Sequence, residues 1–281
     1  MTVSATLLIS CPDAHGIVAA VSRFVYEHEG NVLHADQHVD GDTFLQRVEW
    51  DLAGFDLDRE AIVAAFEPIA QRFGMDWRLS FSDHQPRLAI FVSKFSHCMH
   101  DLLARARMKE LRATIPLVVS NHQTHRDLAE RFDIDFVHIP VTKSTKAEAE
   151  ARTFEVLDEY NIDGVILARY MQILSAEFVR RYSKRIINIH HSFLPAFPGA
   201  RPYHRAHKRG VKIIGATAHY VTADLDEGPI IEQDVTRVSH RDSARDLVLK
   251  GRDLEKVVLA RAVKAHLSDR VLIYGNKTVV F

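Results

Sequence analysis

An amide and an imidazole two positions apart offer the clearest chemistry in this chain. Asn188 and His190 lie in an apolar run, so on a strand their side chains point to the same face of the sheet. Pro195, Pro198 and Gly199 follow and predict that the strand ends in a loop. Because open α/β sheets bind ligands beyond the carboxyl ends of their strands, we expect both side chains in one crevice.

A second loop can bring a carboxylate to this crevice. Asp226 lies between an apolar run and the turn-forming pair Gly228 and Pro229. If this loop folds over the same sheet edge, the site combines a neutral donor, a titratable donor and a carboxylate. Such groups polarise a carbonyl, stabilise its oxyanion and accept a proton from water. The combination indicates acyl chemistry without a covalent nucleophile.

These motifs carry a resemblance. Asn-x-His followed by a loop with Leu-Asp-x-Gly is similar to the catalytic pattern of the formyltransferase family that uses formyltetrahydrofolate. The strings HSFLPAFPGARPY (191–203) and GATAHY (215–220) resemble a hydrolytic branch of that family, and the likeness covers essentially the whole chain. The resemblance implies hydrolysis of 10-formyltetrahydrofolate to formate and tetrahydrofolate. It also implies that the formate supplies purine synthesis and that the reaction balances one-carbon folate pools.

The resemblance implies a role for each residue of the site. Asp226 would orient and deprotonate water, while His190 and Asn188 would stabilise the tetrahedral oxyanion. His219 would support this network from its strand, with a hydrogen bond to a carboxylate as one way of doing so. His191 would point to the opposite face of the strand from His190, which favours packing or a supporting hydrogen bond.

Two segments are expected to form the walls of the substrate pocket. In the family, the segment after the strand at 164–168 lines the pterin pocket, and the backbone before Asp226 forms the other wall. The residues concerned are Met171, Gln172, Ile173, Leu174, Tyr220, Val221 and Thr222. From the residues alone, a Met-Ile-Leu cluster is more often part of an ordinary core.

Composition predicts a soluble protein with room for two domains. The chain has 281 residues, of which 47% are hydrophobic and 26% charged. Its 36 Lys and Arg balance 37 Asp and Glu, which argues against a large nucleic-acid-binding surface. It has two cysteines, no apolar run of membrane-spanning length and no signal-peptide pattern. We therefore expect a cytoplasmic protein that binds neither nucleic acid nor membrane.

The N-terminal part is predicted to be a ferredoxin-like domain. Strands at 4–10, 32–39, 43–51 and 76–82 and two amphipathic helices follow the order β-α-β-β-α-β. This order resembles an ACT domain, a small-molecule-sensing module of metabolic enzymes. We assign residues 1–83 to an ACT-like regulatory domain, 84–86 to a linker and 87–281 to a formyltransferase-like catalytic domain.

The loop after the first strand is expected to bind an amino-acid effector. The residues concerned are Asp13, His15, Gly16 and Ile17, together with Asn31. Gly16 allows a ligand to approach the backbone closely, and the amides at a helix start suit a carboxylate. Family resemblance suggests glycine or methionine. The alternative is that Asp13 only caps the helix and Gly16 only forms a turn. Because such domains pair through their sheet edges or helices, we also expect a homo-oligomer.

The catalytic part is predicted to be a doubly wound, mostly parallel sheet. Alternating strands and helices lead to an antiparallel pair that brackets the Asp226 loop, and a long helix follows. The predicted strands are 87–92, 115–120, 136–139, 164–168, 186–189, 212–221 and 229–236. The predicted helices are 101–111, 146–160, 176–182 and 243–266.

A metal site is a weaker interpretation of this sequence. His97 and His100, and also His204 and His207, stand three positions apart and share a helix face, as zinc ligands do. Neither pair has further ligands in a recognised spacing, so we expect no metal and no cofactor. As covalent nucleophiles, Cys98 is weaker still, and Ser192 lacks a nucleophile elbow.

Water is the predicted acceptor of the formyl group. The relative that formylates glycinamide ribonucleotide has a Gly-rich loop after its first strand, but Ser93–His100 contains no glycine and its side chains would obstruct a phosphate cradle. The relative that formylates initiator methionyl-tRNA carries a C-terminal β-rich domain, whereas here a short hairpin at 274–276 follows the last helix. Formyl transfer to an amine or sugar and a non-catalytic amino-acid sensor remain alternatives. Formate release without an acceptor separates all three.

Overall fold

The chain folds into two structural units, one of which is discontinuous in sequence. A computed structural model describes residues 2–196 and 202–281. The first unit comprises Met1–Gln85 and Asp269–Phe281, and the second comprises Pro86–Ser268. The predicted loop residues Pro198 and Gly199 lie outside the described ranges. No helix in those ranges is both long and apolar enough to span a membrane.

The first unit is an antiparallel sheet covered by two helices. Its elements are β1 (Ser4–Pro12), α1 (Ile17–Glu27), β2 (Asn31–Asp40), β3 (Thr43–Asp51), α2 (Arg59–Phe73) and β4 (Asp76–Phe81). The strand order is β2-β3-β1-β4, with β1 antiparallel to both of its neighbours. This arrangement confirms the predicted ferredoxin-like fold.

Local sequence explains these elements. Side chains alternate along β1, so Ile9 faces the helices and packs in one buried cluster with Val21 of α1 and Phe66 of α2. The Asp58 carboxylate caps α2 by accepting a hydrogen bond from the backbone amide of Ala61 at 2.8 Å. The apolar side chains repeat every two residues along the strand and about every 3.6 residues along the helices, and both sets are buried in this one core.

A C-terminal hairpin completes the first unit. The hairpin consists of β12 (Val271–Tyr274) and β13 (Lys277–Val280), and Leu272 packs against Leu8 and Leu45. Leu8 alternates with Ile9, so this contact lies on the sheet face opposite the helices. The predicted catalytic domain ran to residue 281, whereas residues 269–281 group with the first unit. The reason is that this sheet face has its own apolar side chains to bury.

The second unit is built on a seven-stranded sheet. Its strands are β5 (Arg87–Val92), β6 (Thr114–Ser120), β7 (Asp135–His138), β8 (Gly164–Leu167), β9 (Ile186–His190), β10 (Ile213–Tyr220) and β11 (Ile230–Arg237). Its helices are α3 (His97–Arg107), α4 (Arg126–Glu130), α5 (Lys146–Glu159), α6 (Ala176–Arg181), α7 (Pro202–Arg209) and α8 (Ala244–Leu267). The strand order is β11-β10-β9-β8-β5-β6-β7. The pairings of β10 with β9 and with β11 are antiparallel, and all the other pairings are parallel. The predicted mostly parallel sheet is confirmed.

The strand order creates a crevice at the centre of this sheet. From β5 the chain proceeds to β6 and β7 on one side, and then crosses to β8 and β9 on the other. Such a switch point leaves the loops after β5 and β8 diverging, and ligands bind there. The loop after β8, which includes Arg169, therefore faces the same region as the end of β9.

Candidate active site

The structure brings Asn188, His190 and Asp226 into one cavity. The cavity has a volume of about 230 Å³ and is also lined by the loop after β8. Asn188 and His190 come from β9, with one residue between them, whereas Asp226 comes from the loop between β10 and β11. β10 pairs antiparallel with β9 and ends with Tyr220 opposite Ile187, near the start of β9, and the loop then returns along β9 to place Asp226 against His190.

His190 and Asp226 are in direct contact in a largely buried part of the cavity. The distance between His190 Nδ1 and Asp226 Oδ1 is 3.2 Å, and His190 is only 5% exposed. The hydrogen bond from His190 lowers the pKa of Asp226 below its ordinary value, against the opposing effect of burial. His190 Nε2 is buried and has no hydrogen-bond partner among the described residues. This nitrogen is therefore available to a ligand in the cavity.

His219 orients the Asn188 amide. His219 Nδ1 lies 2.9 Å from the Tyr220 carbonyl oxygen, which can only accept, so Nδ1 carries a proton. Burial lowers the pKa of His219, which favours the neutral ring. Nε2 is then an acceptor and receives a hydrogen bond from Asn188 Nδ2 at 3.1 Å. His219 lies 3.9 Å from the Asp226 carboxylate, so its partner is the amide and not the expected carboxylate.

The Asp226 loop is held by a close backbone contact. A Cβ atom on Gly228 would lie 1.7 Å from the Tyr220 carbonyl oxygen, so only glycine fits. The Tyr220 amide donates to the Pro229 carbonyl at 2.9 Å across this contact. Asp226 has a φ of 59°, in the left-handed region that aspartate tolerates better than bulkier residues. The Leu-Asp-x-Gly motif thus aims the carboxylate through its backbone.

Most of the predicted pocket walls border this cavity. The predicted residues that line it are Met171, Gln172, Ile173, Leu174, Val221 and Thr222. Met171 and Ile173 are 54% and 60% exposed, although both are apolar, as expected for side chains that cover a ligand. Tyr220 is the exception, because it is buried and its hydroxyl is hydrogen-bonded to His266 Nδ1 at 2.8 Å. The backbone of Tyr220 was predicted to line the pocket, but Tyr220 is not among the residues that border this cavity, because its amide bonds to the Pro229 carbonyl and its carbonyl to His219.

His191 lies beside His190 in the cavity. Its ring centroid is 5.2 Å from that of His190 and 6.1 Å from that of Tyr203. Burial, with a contribution from the charge of Arg169, lowers the pKa of His191 to about 3. The strand ends at His190, so the expected alternation of faces stops there and His191 also borders the cavity. A neutral imidazole in this position can pack and accept a hydrogen bond.

Comparison with known proteins matches this geometry to a family. Residues 86–263 match the formyl transferase family, and residues 5–71 match the ACT domain. A formyltetrahydrofolate deformylase of Synechocystis is 57% identical over 280 residues, which are 99% of this chain and 98% of the relative. The chain belongs to the formyltetrahydrofolate deformylase family.

Solved structures extend the comparison to the fold. The crystal structure of a formyltetrahydrofolate deformylase from Pseudomonas syringae superposes with a TM-score of 0.97 at 49% identity, covering 100% of this chain and 95% of that one. A glycinamide ribonucleotide transformylase from Symbiobacterium toebii superposes with a TM-score of 0.67 at 29% identity, covering 73% of this chain and 98% of that one. The deformylase family therefore shares its catalytic fold with transferases, and its lining residues must distinguish the two.

Ser93 anchors the pocket wall, a role the sequence analysis missed. Its hydroxyl donates to Asn121 Oδ1 at 2.7 Å and accepts from the Met171 amide at 3.0 Å. Its own amide donates to the Arg169 carbonyl at 3.3 Å. These bonds tie the loop after β8 to the end of β5, the strand at the switch point. A lone serine after an apolar strand carries no sequence signal for this role.

A buried charged cluster borders the cavity on the side of α3 and α8. Glu255 of α8 is 1% exposed and bonds to His97 Nε2 at 2.7 Å and to the Tyr203 hydroxyl at 2.8 Å. Arg169 Nε lies 3.4 Å from the same carboxylate. Burial opposes ionisation of Glu255, but its bond from His97 and the charge of Arg169 outweigh burial and lower its pKa. Sequence analysis missed this cluster because its members are far apart in the chain.

A second pocket lies beyond this cluster. Its volume is about 450 Å³, and the residues lining it include Lys94, Phe95, His97 and Arg252. The glycine-free segment after β5 was expected to obstruct a phosphate cradle, but its side chains border open space. The pocket is rich in basic side chains, although one of its lysines is paired with an aspartate at 2.8 Å.

The predicted histidine pairs differ in their surroundings. His97, Cys98 and Glu255 have potential ligand atoms within 4.8 Å of one another. However, His97 is hydrogen-bonded to Glu255, and burial raises the pKa of Cys98 well above its ordinary value, which disfavours the thiolate that metals bind. His100 is exposed and stacks edge-on against Phe132. The pair at 204 and 207 lies exposed on α7.

The predicted effector segment lies at the start of α1. Gly16 is the N-cap with a φ of 91°, and no side chain caps the helix. The Asp13 amide donates to the Asp42 carbonyl, and the N-cap position that the alternative interpretation gave to Asp13 is occupied by Gly16. Asp13 and His15 are exposed, whereas the Ile17 side chain is buried in the core. Asn31 is the exposed first residue of β2 and pairs with Asp51.

Proposed function

We propose that this chain hydrolyses 10-formyltetrahydrofolate to formate and tetrahydrofolate. The observation that carries the proposal is the His190–Asp226 pair at 3.2 Å, facing a cavity that Asn188 also lines. This set matches the needs of acyl transfer to water, namely a proton acceptor and oxyanion donors. The names of the relatives support the same substrate. Use of the formate in purine synthesis stays a prediction.

In the proposed mechanism, each residue acts on a defined atom. Asp226 accepts a proton from water as its oxygen attacks the formyl carbon. Protonated His190 donates from Nε2, and Asn188 from the N–H that His219 does not engage, to the oxygen that becomes negatively charged. The bond between carbon and N10 then breaks, and His190 supplies the proton that N10 gains. The products are formate and tetrahydrofolate.

The pocket walls support folate as the substrate. Exposed apolar side chains at Met171 and Ile173 can cover the faces of a flat ring system, while backbone groups of Val221 and Thr222 can bond to its edge. A pocket with an apolar cover and few convergent polar groups is typical of sites for heteroaromatic ligands. Met171 and Ile173 thus would gain burial when substrate binds.

The test is release of formate by purified protein without an added acceptor. Formate is measured enzymatically in parallel with tetrahydrofolate absorbance, for the wild type and for Asp226→Asn. We expect the variant to bind folate but to lose about 100-fold or more in turnover. Absence of formate from the wild type would favour the transferase alternative if an amine acceptor restores turnover, and the sensor alternative if none does.

We further propose that the reaction needs no metal and no other cofactor. The support is chemical. In hydrolytic zinc enzymes the metal activates water and polarises the carbonyl, and here Asp226 can accept the water proton while His190 and Asn188 can donate to the carbonyl oxygen. Treatment with a chelator, followed by desalting, should leave the rate of formate release unchanged. Loss of activity that zinc restores would instead make His97, Cys98 and Glu255 the site to examine.

The first unit is proposed to bind an amino acid that changes activity. Support comes from the start of α1, where no side chain caps the first backbone amides, so these amides can bind a carboxylate. The loop before this helix, with Asp13 and His15, is exposed. Calorimetry with glycine and methionine tests binding directly. Gly16→Val should abolish the response, because valine disfavours the φ of 91°, while hydrolysis without effector should persist. Binding of no common amino acid would end this proposal.

A homo-oligomer built partly on residues 1–83 is also proposed. β2 is a sheet edge of ten residues that is exposed along nearly its whole length, with Leu33 and Val39 among its exposed apolar side chains. Long edges with free hydrogen-bonding groups pair readily with another strand. Leu33→Lys should shift the mass measured by light scattering toward the monomer. We place the protein in the cytoplasm, which suits its two free cysteines.

A further inference from the structure

Arg169 has an unusual position for an arginine. It is the second residue after β8 and has a φ of 65°, in the left-handed region that a long side chain rarely adopts. Residues held in such conformations cluster at functional sites, where the surrounding structure maintains them. Here the Arg169 carbonyl is fixed by the Ser93 amide at the switch point of the sheet. The backbone thus directs this side chain at some conformational cost.

The guanidinium of Arg169 is buried but incompletely bonded. The side chain is 10% exposed and lines the catalytic cavity. Nε and Nη1 have no hydrogen-bond partner among the described residues, although the Glu255 carboxylate lies 3.4 Å from Nε. A buried charge needs an opposite charge, and buried donors need acceptors. Glu255 supplies the charge, and small oxygen ligands such as water are suited to the remaining donors.

Arg169 also lies between two spaces. It borders the catalytic cavity, whereas Phe95 and His97 border the basic pocket beyond. The guanidinium carbon of Arg169 is 5.6 Å from the centre of the Phe95 ring, and Glu255 joins Arg169 to His97. These contacts form a continuous partition from Arg169 through Glu255 to His97. An acceptor molecule seated in the basic pocket would have to pass this partition to reach the formyl group.

We propose that Arg169, held by Glu255, determines the acceptor by closing the cavity to amines while leaving it open to water. This inference rests on the proposed hydrolysis of the formyl group. Water fits beside a guanidinium and accepts its hydrogen bonds. A primary amine is larger, and in its protonated form it is repelled by a neighbouring fixed charge. The related transformylase shows that the same fold accommodates a transferase, so a local feature must select the acceptor.

The decisive variant is Arg169→Gly. Glycine adopts a φ of 65° without strain, so the backbone can stay in place while the partition opens. Each protein is supplied with 10-formyltetrahydrofolate and millimolar glycinamide, and formate and formylglycinamide are both quantified by mass spectrometry. We expect the ratio of formylglycinamide to formate to rise roughly tenfold or more over wild type. Arg169→Lys keeps the charge and should stay within about twofold of wild type.

A matched control removes another basic side chain in the same backbone conformation. Lys109 has a φ of 59°, is exposed and lines neither space, so Lys109→Gly should leave the ratio unchanged. An unchanged ratio in a folded Arg169→Gly that still releases formate would overturn the proposal. If that variant does not fold, Glu255→Gln decides, because weakening the anchor of Arg169 should raise the ratio about threefold and no rise overturns it. Wild-type protein that releases no formate would instead refute hydrolysis itself.

Discussion

The fixed tautomer of His219 gives the Asn188 amide a defined orientation. An amide can flip at little cost, but here one of its N–H groups is committed to a ring nitrogen that can only accept. The Asn188 side-chain oxygen and its second N–H therefore have one fixed orientation relative to the cavity. Groups that orient catalytic side chains in this manner commonly affect rates 10–100-fold. In the proposed mechanism, His219 would contribute through Asn188 without touching the formyl group.

Loss of this orientation should be measurable. In His219→Leu the amide loses its acceptor, so we expect kcat to fall roughly 10–100-fold with KM little changed. Asn188→Ala should cost about 100–1,000-fold as a lost oxyanion donor. Because both changes act through one group, steady-state kinetics of the double variant should match Asn188→Ala alone. Full additivity of the two effects would contradict this role for His219.

Asp226 should titrate at unusually low pH. Its pKa is lowered chiefly by the hydrogen bond from His190, so the ionised form is kept until the pH falls below the ordinary carboxyl value of about 3.9. The same shift stabilises the fold above that pH, and this stability is lost as the pH falls through the folded pKa. In His190→Gln the titration observed by carbon-13 NMR should move upward. An unmoved titration would show that the pair is not coupled.

Single residues also differ in how far sequence could identify them. Asn188 and His190 share a strand, so their spacing alone predicted a common face. Identification of Asp226 required the Leu-Asp-x-Gly motif, because the residues of a loop show no periodic pattern. Arg169 and Glu255 leave no local pattern, since only the folded chain brings a residue after β8 against the middle of α8. Contacts between distant segments were therefore the part that sequence could not supply.

Among the elements, the loop between β10 and β11 depends on Gly228. Gly228→Ala would place a Cβ atom 1.7 Å from a backbone carbonyl, and no rotamer change can relieve that contact. We expect a cost of about 1–3 kcal/mol in the free energy of unfolding and a displaced Asp226, hence a large loss of kcat. Thermal unfolding and kinetics measure both effects.

The control for this change is Gly210→Ala. Gly210 has a φ of 72° and nothing within 4 Å of an added Cβ, so only backbone strain of about 1 kcal/mol is expected. Its turnover should stay near wild type. If Gly228→Ala retained wild-type turnover as well, the backbone contact would not be what aims the Asp226 carboxylate.

The bounds of a buried strand were easier to predict than those of α3, for a physical reason. The β5 strand was predicted with its observed bounds, because buried strands of a parallel sheet are continuous apolar runs between polar residues. In contrast, α3 was predicted at 101–111 but spans His97–Arg107. Its N-cap, Ser96, makes no side-chain capping bond, so the start signal was weak. The five-residue α4 is too short to show a period.

At the scale of the whole molecule, the C-terminal hairpin belongs to the first unit. We expect Leu272→Asp to cost about 3 kcal/mol or more, since it places a charge between Leu8 and Leu45. Val280→Asp is the matched control, because Val280 is 44% exposed in the same hairpin. Hydrogen exchange followed by mass spectrometry should show lost protection within residues 2–85. Loss spread equally over residues 86–268 would contradict the assignment.

The hairpin explains why the domain boundary was only partly predictable. The linker at 84–86 is polar and contains a proline, and such stretches separate compact units. No comparable linker sequence marks the position after α8 at which the chain leaves the second unit. The apolar residues of β12 suit either unit equally, and the partner is selected by Leu8 and Leu45 on the sheet face opposite the helices, which the hairpin buries.

The split of the first unit imposes an order on protein synthesis. Residues 269–281 emerge from the ribosome only after all of residues 86–268, so the second unit can acquire its fold while the first still lacks two strands. Until then Leu8 and Leu45 face water, and the nascent first sheet has one uncovered apolar face. The catalytic unit can thus be complete before the far face of the first sheet is covered, so the unit that carries the proposed effector loop is the last to gain its full set of contacts.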